Sequence, residues 1–170
     1  MSVSTQQLGI VIYPDPALRR RAAPLERIDD SVRAVARRMH VLMREAGGVG
    51  LAAPQVGLAW RMFVANVTGE PEDARVFINP ALREPTRQTE PYEEGCLSLP
   101  HVTGEITRPR GITIDALDEH GRSVTLIAEG LEARVWQHEY DHLEGVLIID
   151  RMPRADRMAN KRALLELERA

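Results

Sequence analysis

Residues 137–145 read Gln-His-Glu-Tyr-Asp-His-Leu-Glu-Gly and contain the pattern H-E-x-x-H. On an α-helix, residues four apart lie one turn above each other on the same face. His138 and His142 are therefore predicted to direct two imidazole rings toward one point. Glu139 lies beside them and can exchange a proton with a molecule bound there. This is the arrangement of a catalytic metal site carried on a helix.

The sequence before the motif predicts that this helix is buried. Leu131, Val135, His138 and His142 follow one another at spacings of four, three and four residues, the period of a helical stripe that faces a core. Gly145 is predicted to end the helix, which starts near residue 129. Two buried imidazoles are costly unless each finds a polar partner, so a shared metal ion explains the pair better than packing alone.

The rest of the pattern predicts an α+β fold, in which antiparallel sheets pack around the H-E-x-x-H helix and further helices lie near both ends of the chain. An amphipathic helix is predicted from Asp29 to Gly47. Alternating apolar residues predict strands over residues 60–66, 75–79, 104–107, 111–117 and 123–128. A hairpin turn at 118–121 is predicted to join the last two. Residues 146–149 are predicted to form a short buried strand. No repeat or composition change divides the chain, so we expect one domain over residues 1–170.

Composition limits the classes of function. The chain has 170 residues and a formal net charge of −3, so it lacks the basic surface expected of a protein that reads nucleic acid. No apolar run reaches membrane length, and the first ten residues lack the features of a secretory signal. We therefore expect a cytoplasmic protein without a membrane partner. The single cysteine, Cys96, cannot form a disulfide within the chain, which suits a reducing compartment.

A catalytic site of this type usually takes three protein ligands and leaves one position open. A third ligand six residues after His142 is excluded, because that position is Ile148. Glu166 and Glu168 are possible ligands, but they lie in a polar terminal helix. Cys96 is the better candidate, because a thiolate is a strong ligand and Gly95 beside it predicts a loop.

Three stretches resemble the signature motifs of the peptide deformylase family, in that family's order. They are Gly-Val-Gly-Leu-Ala-Ala-Pro-Gln at 48–55, Glu-Gly-Cys-Leu-Ser at 94–98 and Gln-His-Glu-Tyr-Asp-His at 137–142. The terminal helix resembles the one carried by the bacterial form of the enzyme. The resemblance implies a metal-dependent hydrolase that removes the formyl group from the N-terminal formyl-methionine of nascent polypeptides and releases formate.

The resemblance also implies roles for individual residues at the reacting centre. Carried over by motif, the metal ligands are Cys96, His138 and His142. Glu139 is implied as the general acid–base. Two hydrogen-bond donors are implied to stabilise the oxyanion that develops on the formyl group, namely the side chain of Gln55 and the backbone N–H of Leu97.

Further positions are implied in substrate binding. Val49, Gly50 and Gly95 correspond to positions that bind the peptide backbone as an added strand. Leu131 and Val135 suit an apolar pocket for the methionine side chain. One departure concerns residues 101–104, His-Val-Thr-Gly, where some relatives carry an arginine near Thr103. Its absence affects the expected preference for peptide length and leaves the reaction unchanged.

The implied cofactor is one Fe²⁺ per chain, which Zn²⁺, Ni²⁺ or Co²⁺ can replace. The implied partners are formyl-methionyl nascent peptides and, transiently, the ribosome. Two alternatives remain open from the sequence: a zinc endopeptidase, and a non-catalytic domain stabilised by a metal. The second is the weaker of the two, because a structural site uses four protein ligands and the sequence offers no second cysteine.

Overall fold

The computed structural model describes residues 3–170. It contains seven strands, β1 Gly50–Ala52, β2 Met62–Ala65, β3 Arg75–Arg83, β4 Thr89–Cys96, β5 Leu99–Pro109, β6 Gly111–Leu117 and β7 Ser123–Glu129. The α-helices are α1 Asp30–Glu45, α2 Gly130–Leu143, α3 Ile148–Arg151, α4 Arg154–Ala159 and α5 Lys161–Arg169. Short 3₁₀ turns occupy Thr5–Gln7, Pro16–Arg19, Ala53–Val56 and Pro71–Asp73. The predicted α+β class is confirmed.

The strands form two antiparallel sheets. Five strands pair in the order β1-β2-β3-β6-β7, and β4 pairs only with β5. The H-E-x-x-H motif lies on α2, and this helix contacts strands of both sheets. The expected arrangement, sheets packed around the helix that carries the motif, is therefore the observed one.

Strand β2 shows how both faces of the larger sheet are covered. Alternate side chains of a strand point to opposite faces of the sheet. All four residues of β2 are nevertheless buried, so both faces are covered. Met62 and Val64 pack in one core cluster with α1. Phe63 and Ala65 pack in a second cluster with α2. An apolar layer thus packs helix α2 against the sheet.

The amphipathic helix predicted from Asp29 is α1. The side chain of Asp29 accepts hydrogen bonds from the backbone N–H groups of Ser31 and Val32, as an N-cap does. Helix α2 ends where predicted, since Gly145 has a positive φ of 73°. A Cβ at this glycine would lie 2.6 Å from the carbonyl oxygen of Arg19, so both the backbone angle and the space require glycine.

Three predictions about secondary structure need correction. Gly95, which the sequence predicts to lie in a loop, is instead a residue of strand β4 and pairs with Thr103 of β5. The strand predicted at 146–149 is absent, because α3 begins at Ile148. The carboxylate of Asp150 accepts a hydrogen bond from the backbone N–H of Leu147 at 2.8 Å and so closes a helical turn. The apolar run there reflects burial in the third core cluster, which a short helix satisfies as well as a strand does. The terminal helix is interrupted at Asn160, which separates α4 from α5.

No helix in the described part of the chain combines the length and the apolar character that crossing a membrane requires.

Candidate metal centre and active site

Three side chains from two separate elements meet at one point. Cys96 ends β4, and His138 and His142 lie one turn apart on α2. The Sγ atom of Cys96 is 3.4 Å from Nε2 of His142, and the Nε2 atoms of the two histidines are 3.3 Å apart. All three donor atoms lie within 4.8 Å of one another. Within residues 3–170 this is the one group of three or more His, Cys, Asp or Glu side chains so placed.

The spacing of these atoms fits a tetrahedral metal ion. Metal–sulfur and metal–nitrogen bonds of about 2.3 Å and 2.0–2.1 Å give tetrahedral edges of about 3.6 Å between S and N and about 3.3 Å between two N atoms. The observed 3.4 Å and 3.3 Å agree with these edges. The donor set also suits a divalent transition metal, since it combines one thiolate with two imidazoles. The residues present therefore fit a metal ion with an open fourth position.

The alternative ligands considered from the sequence lie elsewhere. Glu166 pairs with Arg162 on α5. Glu168 accepts a hydrogen bond from the hydroxyl of Tyr13 at 3.0 Å. Neither belongs to the cluster of possible ligands, so Cys96 is the residue that completes the histidine pair.

A buried carboxylate orients the first histidine. Nδ1 of His138 donates a hydrogen bond to Oε2 of Glu94 at 3.0 Å, which leaves Nε2 free to bind a metal. Arg108 donates to both oxygens of Glu94, at 2.6 Å from Nε and 2.9 Å from Nη2. Burial alone raises the pKa of Glu94, but the hydrogen bonds from Arg108 and His138 outweigh it and hold that pKa well below its usual range. The carboxylate thus stays ionised as an acceptor for His138.

Glu139 is a carboxylate in an unusual environment. Its side chain is almost fully buried, with 4% of the residue exposed, and its Oε2 atom has no hydrogen-bond partner among the described residues. Burial raises the pKa of Glu139 to about 7, because the charged form loses its hydration. A carboxyl group with a pKa near neutrality can both accept and return a proton at physiological pH.

Gly50 provides the space that this carboxylate occupies. A Cβ on Gly50 would lie 2.4 Å from Oε1 of Glu139 and 2.8 Å from its Cδ and Cγ atoms. The side chain of Glu139 is buried, so moving away from such a methyl group would displace the carboxylate from its position. The glycine of the first motif is therefore needed for the position of the carboxylate, a contact that the sequence did not predict.

We expect Gly50→Ala to lower kcat by roughly 10- to 100-fold, since a displacement of about 1 Å at a catalytic group can cost two orders of magnitude. Metal content should not change, because the methyl group meets no ligand atom. Steady-state kinetics with metal analysis checks this. Gly9→Ala is the control, because nothing lies within 4 Å of a Cβ at Gly9. Unchanged kcat in Gly50→Ala would contradict the role given to this contact.

The amide of Gln55 is held beside the ligands. Its Oε1 atom accepts a hydrogen bond from the backbone N–H of Ala52 at 2.9 Å. Its Nε2 atom lies 3.5 Å from Sγ of Cys96 and donates to Oγ of Ser98 at 3.2 Å. Because Oε1 is fixed by a backbone donor, the Nε2–H group is presented to the cluster of ligands.

These groups line one side of an open cleft of about 500 Å³. All the residues implied in metal binding, catalysis and substrate binding line it except His142, which is only 1% exposed beneath it. The cleft lining includes Val49, Gly50, Gln55, Gly95, Cys96, Leu97, Leu131, Val135, His138 and Glu139. The residues predicted from the sequence to form the site therefore lie together in the folded protein.

The apolar stripe of α2 is not buried along its whole length. The stripe predicted to face the core includes Leu131 together with Val135 and the two histidines. The side chain of Leu131 is instead exposed, with 46% of the residue accessible, because the first turn of α2 opens onto the cleft. Val135, one turn later, is buried as expected. The exposed leucine suits the apolar pocket implied for a substrate side chain.

No role is predicted from the sequence for three charged residues near the ligands, Arg134, Asp141 and Arg151. Arg134 donates to Glu94, and Asp141 accepts from both Arg108 and Arg151. Arg134 and Asp141 are buried on α2. Charged residues are seldom buried unless paired. The position of Arg134 and Asp141 on a helix predicted to be buried could therefore have indicated that they form ion pairs.

An α+β fold with a candidate Cys-His-His metal site at an open cleft, beside a buried carboxylate, is the arrangement expected of a metal-dependent hydrolase. The model of the polypeptide deformylase family matches residues 7–158. The chain belongs to this family.

Relatives and solved structures agree with the family assignment. A peptide deformylase of Maricaulis maris is 43% identical over 95% of this chain and 94% of its own length. One of Treponema pallidum (strain Nichols) is 45% identical over 81% of this chain and 83% of its own. The crystal structure of the Plasmodium falciparum enzyme, 40% identical, superposes with a TM-score of 0.91 over 94% of this chain and 95% of that one.

Proposed function

We propose that this chain is a metal-dependent peptide deformylase that hydrolyses the formamide bond of N-terminal formyl-methionine and releases formate. The observation that carries the proposal is the cluster of Cys96, His138 and His142 beside the buried Glu139, at a cleft in a fold of this family. The chain is expected to act as a single domain spanning residues 1–170.

The proposed ligands are Cys96, His138 and His142, with Fe²⁺ as the native ion and Zn²⁺, Ni²⁺ or Co²⁺ as substitutes. A divalent ion held there supplies Lewis acidity, which polarises the formyl carbonyl and makes water a better nucleophile at neutral pH. Cys96 and His138 line the cleft, so an ion bound by them would act on a substrate in the cleft.

Glu139 is the proposed general acid–base. Its carboxylate takes a proton from the attacking water as the C–O bond forms at the formyl carbon. It then gives a proton to the amine nitrogen as the C–N bond breaks, so that formate and a free amino terminus leave. Its pKa near 7 supports both transfers. Within residues 3–170 its Oε2 atom has no hydrogen-bond partner, which supports a role in proton transfer over one in a structural hydrogen bond.

The side chain of Gln55 and the backbone N–H of Leu97 are the proposed donors to the oxyanion that develops on the formyl oxygen. The position of Nε2 of Gln55 at 3.5 Å from Sγ of Cys96 supports this. The amide is fixed in advance by Ala52 and Ser98, so no reorganisation is needed when the charge appears.

We expect Gln55→Ala to lower kcat by about 10²-fold, because one donor to an oxyanion typically contributes 10²–10³ in rate. KM should change much less, since the bond strengthens as the charge develops. The measurement is steady-state kinetics on protein with matched metal content, and the control is Gln88→Ala, an exposed glutamine outside the cleft. A kcat close to that of the wild type would remove Gln55 from the mechanism.

The peptide is proposed to bind as a strand added beside β1. This strand is at the edge of the larger sheet, and among residues 3–170 the strand that pairs with it is β2. Its other edge has no strand partner in this part of the chain, which supports main-chain pairing with a peptide there. Val49, Gly50 and Gly95 all line the cleft. A Cβ at Gly95 would make only ordinary contacts with the protein, so packing within the protein does not require glycine there. We propose that the missing side chain instead allows the peptide to approach the backbone closely.

Leu131 and Val135 are proposed to contact the methionine side chain, with formyl-methionyl nascent peptides as substrates in the cytoplasm. A transient encounter with the ribosome follows from that choice of substrate. We propose no readout of nucleic acid and no membrane partner, in line with the net charge of −3.

The test is formate release from a short formyl-Met peptide. The protein is prepared anaerobically, and separate samples are reconstituted with Fe²⁺ and with Zn²⁺. Rapid release with Fe²⁺ is expected. Folded, metal-loaded protein that released no formate with either ion would overturn the proposal. Cleavage of internal bonds in an unformylated peptide would then support the alternative of a zinc endopeptidase.

A further inference from the structure

Arg134 joins the ligand helix to the neighbouring sheet. It lies one turn before His138 on α2 and its side chain is 8% exposed. Its Nη1 group donates to Oε1 of Glu94 at 2.7 Å and to the carbonyl oxygen of Ile106 at 2.9 Å. Its Nη2 group donates to the carbonyl oxygen of Glu90. One guanidinium therefore holds three acceptors, which lie on β4 and β5.

The contact with Glu94 completes the surroundings of that carboxylate. Oε1 accepts from Arg108 and Arg134, and Oε2 accepts from Arg108 and His138. An ionised carboxylate offers about four lone-pair sites, and all four have donors here. The orientation of Glu94, and hence of the His138 ring, is thus set jointly by the two arginines.

The hairpin formed by β4 and β5, residues 89–109, depends on such side-chain contacts for its position. These two strands share no ladder with the five-stranded sheet, against which α2 packs. Cys96 lies on this hairpin, and both histidines lie on α2. The distance between the thiolate and the imidazoles is therefore set by how the hairpin docks on the helix.

We propose that Arg134 is a positioning residue of the metal centre, which holds the β4–β5 hairpin so that Cys96 stays at ligand distance from His138 and His142. The inference rests on the ligand set proposed above. Arginine is suited to this task because its planar fork reaches three acceptors at once, whereas lysine presents a single ammonium group. Without Arg134 the thiolate is held less firmly, and the metal leaves faster.

The experiment measures release of Co²⁺ from loaded protein after addition of excess EDTA, followed by the absorption of the Co²⁺–thiolate complex. We expect Arg134→Gln to release Co²⁺ roughly tenfold faster than the wild type, since loss of an outer-shell partner typically costs 10–100-fold in metal affinity. Arg134→Lys should fall between the two. The Co²⁺ spectrum before EDTA addition should also change, because the thiolate position is less defined.

Arg61→Gln is the matched control. Arg61 is similarly buried, with 12% of its side chain exposed, and it pairs with Glu144 and with the hydroxyl of Tyr140. It packs on the same helix without contacting Glu94 or the hairpin. Its removal should lower the thermal stability of the metal-free protein about as much as removal of Arg134 does, while metal release stays close to that of the wild type.

Equal release rates in Arg134→Gln and Arg61→Gln would overturn the proposal, because both arginines would then be merely structural. If Arg134→Gln does not fold, Arg134→Lys decides, and an acceleration below about threefold counts against the proposal, given the 10–100-fold range cited for such partners. If the wild-type protein bound no Co²⁺, the proposed ligand set itself would be contradicted. If the wild type bound Co²⁺ normally and Arg134→Gln released it at the same rate, only the role of Arg134 would be contradicted.

Discussion

Glu139→Gln is expected to lower kcat by about 10³-fold, within the 10²–10⁴ range that a positioned general acid–base contributes. The amide of glutamine fills the same space beside Gly50 but cannot accept a proton from water. Metal content should stay at the wild-type level, because Glu139 is not among the three candidate ligands. Thermal stability should not fall, since the substitution removes a carboxylate whose charged form is disfavoured by burial.

The measurement combines formate release, metal analysis and thermal unfolding on the same preparations. Glu132→Gln is the matched control, because it makes the same chemical change on the same helix at an exposed position outside the cleft. It should retain wild-type kcat. If Glu139→Gln retained more than about a tenth of wild-type kcat with full metal content, the assignment of the general acid–base would be wrong.

Cys96→Ala is expected to abolish stable metal binding and, with it, turnover. Alanine removes one of three donors and leaves only the two imidazoles of His138 and His142. The loss in affinity should exceed the 10–100-fold that changes in outer-shell partners cause, because a direct ligand is lost. Activity should return only in part when excess metal is added.

This prediction is tested by dialysing wild type and variant against the same metal buffer and measuring bound metal per chain. The Co²⁺ complex of the wild type should show sulfur-to-metal charge-transfer absorption, and that of the variant should not. Cys96→Ser serves as a control for side-chain volume and should bind more weakly than the wild type, since a hydroxyl is a poorer ligand than a thiolate. Full metal content in Cys96→Ala would exclude Cys96 from the ligand set.

Local patterns in the sequence predicted the elements that carry the site. The spacing of His138 and His142 predicted one helix, and the structure places their Nε2 atoms 3.3 Å apart. The capping residue Asp29 predicted the start of α1, and alternation over residues 111–117 predicted β6 with the same bounds. Such predictions succeed because backbone geometry relates residues a few positions apart, whatever the rest of the chain does.

Predictions failed where burial depended on neighbours distant in the chain. The apolar residues from 146 to 149 indicated a buried element but not its type, and a short helix forms there. Leu131 fits the apolar stripe of α2, yet it is exposed where the helix borders the cleft. The sequence of a helix gives its apolar face, but only the packed neighbours determine where along that face a cleft opens.

The sequence by itself determined the fold class, the helix that carries two histidines and, through three motifs in order, the family. The tertiary structure alone decided that Cys96 meets His142, 46 residues away, at 3.4 Å. It also decided that Gly50 makes room for Glu139 and that Glu94 receives four hydrogen-bond donors, three from two arginines and one from His138. The reason is physical: hydrogen bonds and bond angles fix distances within one helix, whereas the distance between a hairpin and a helix depends on every side chain packed between them.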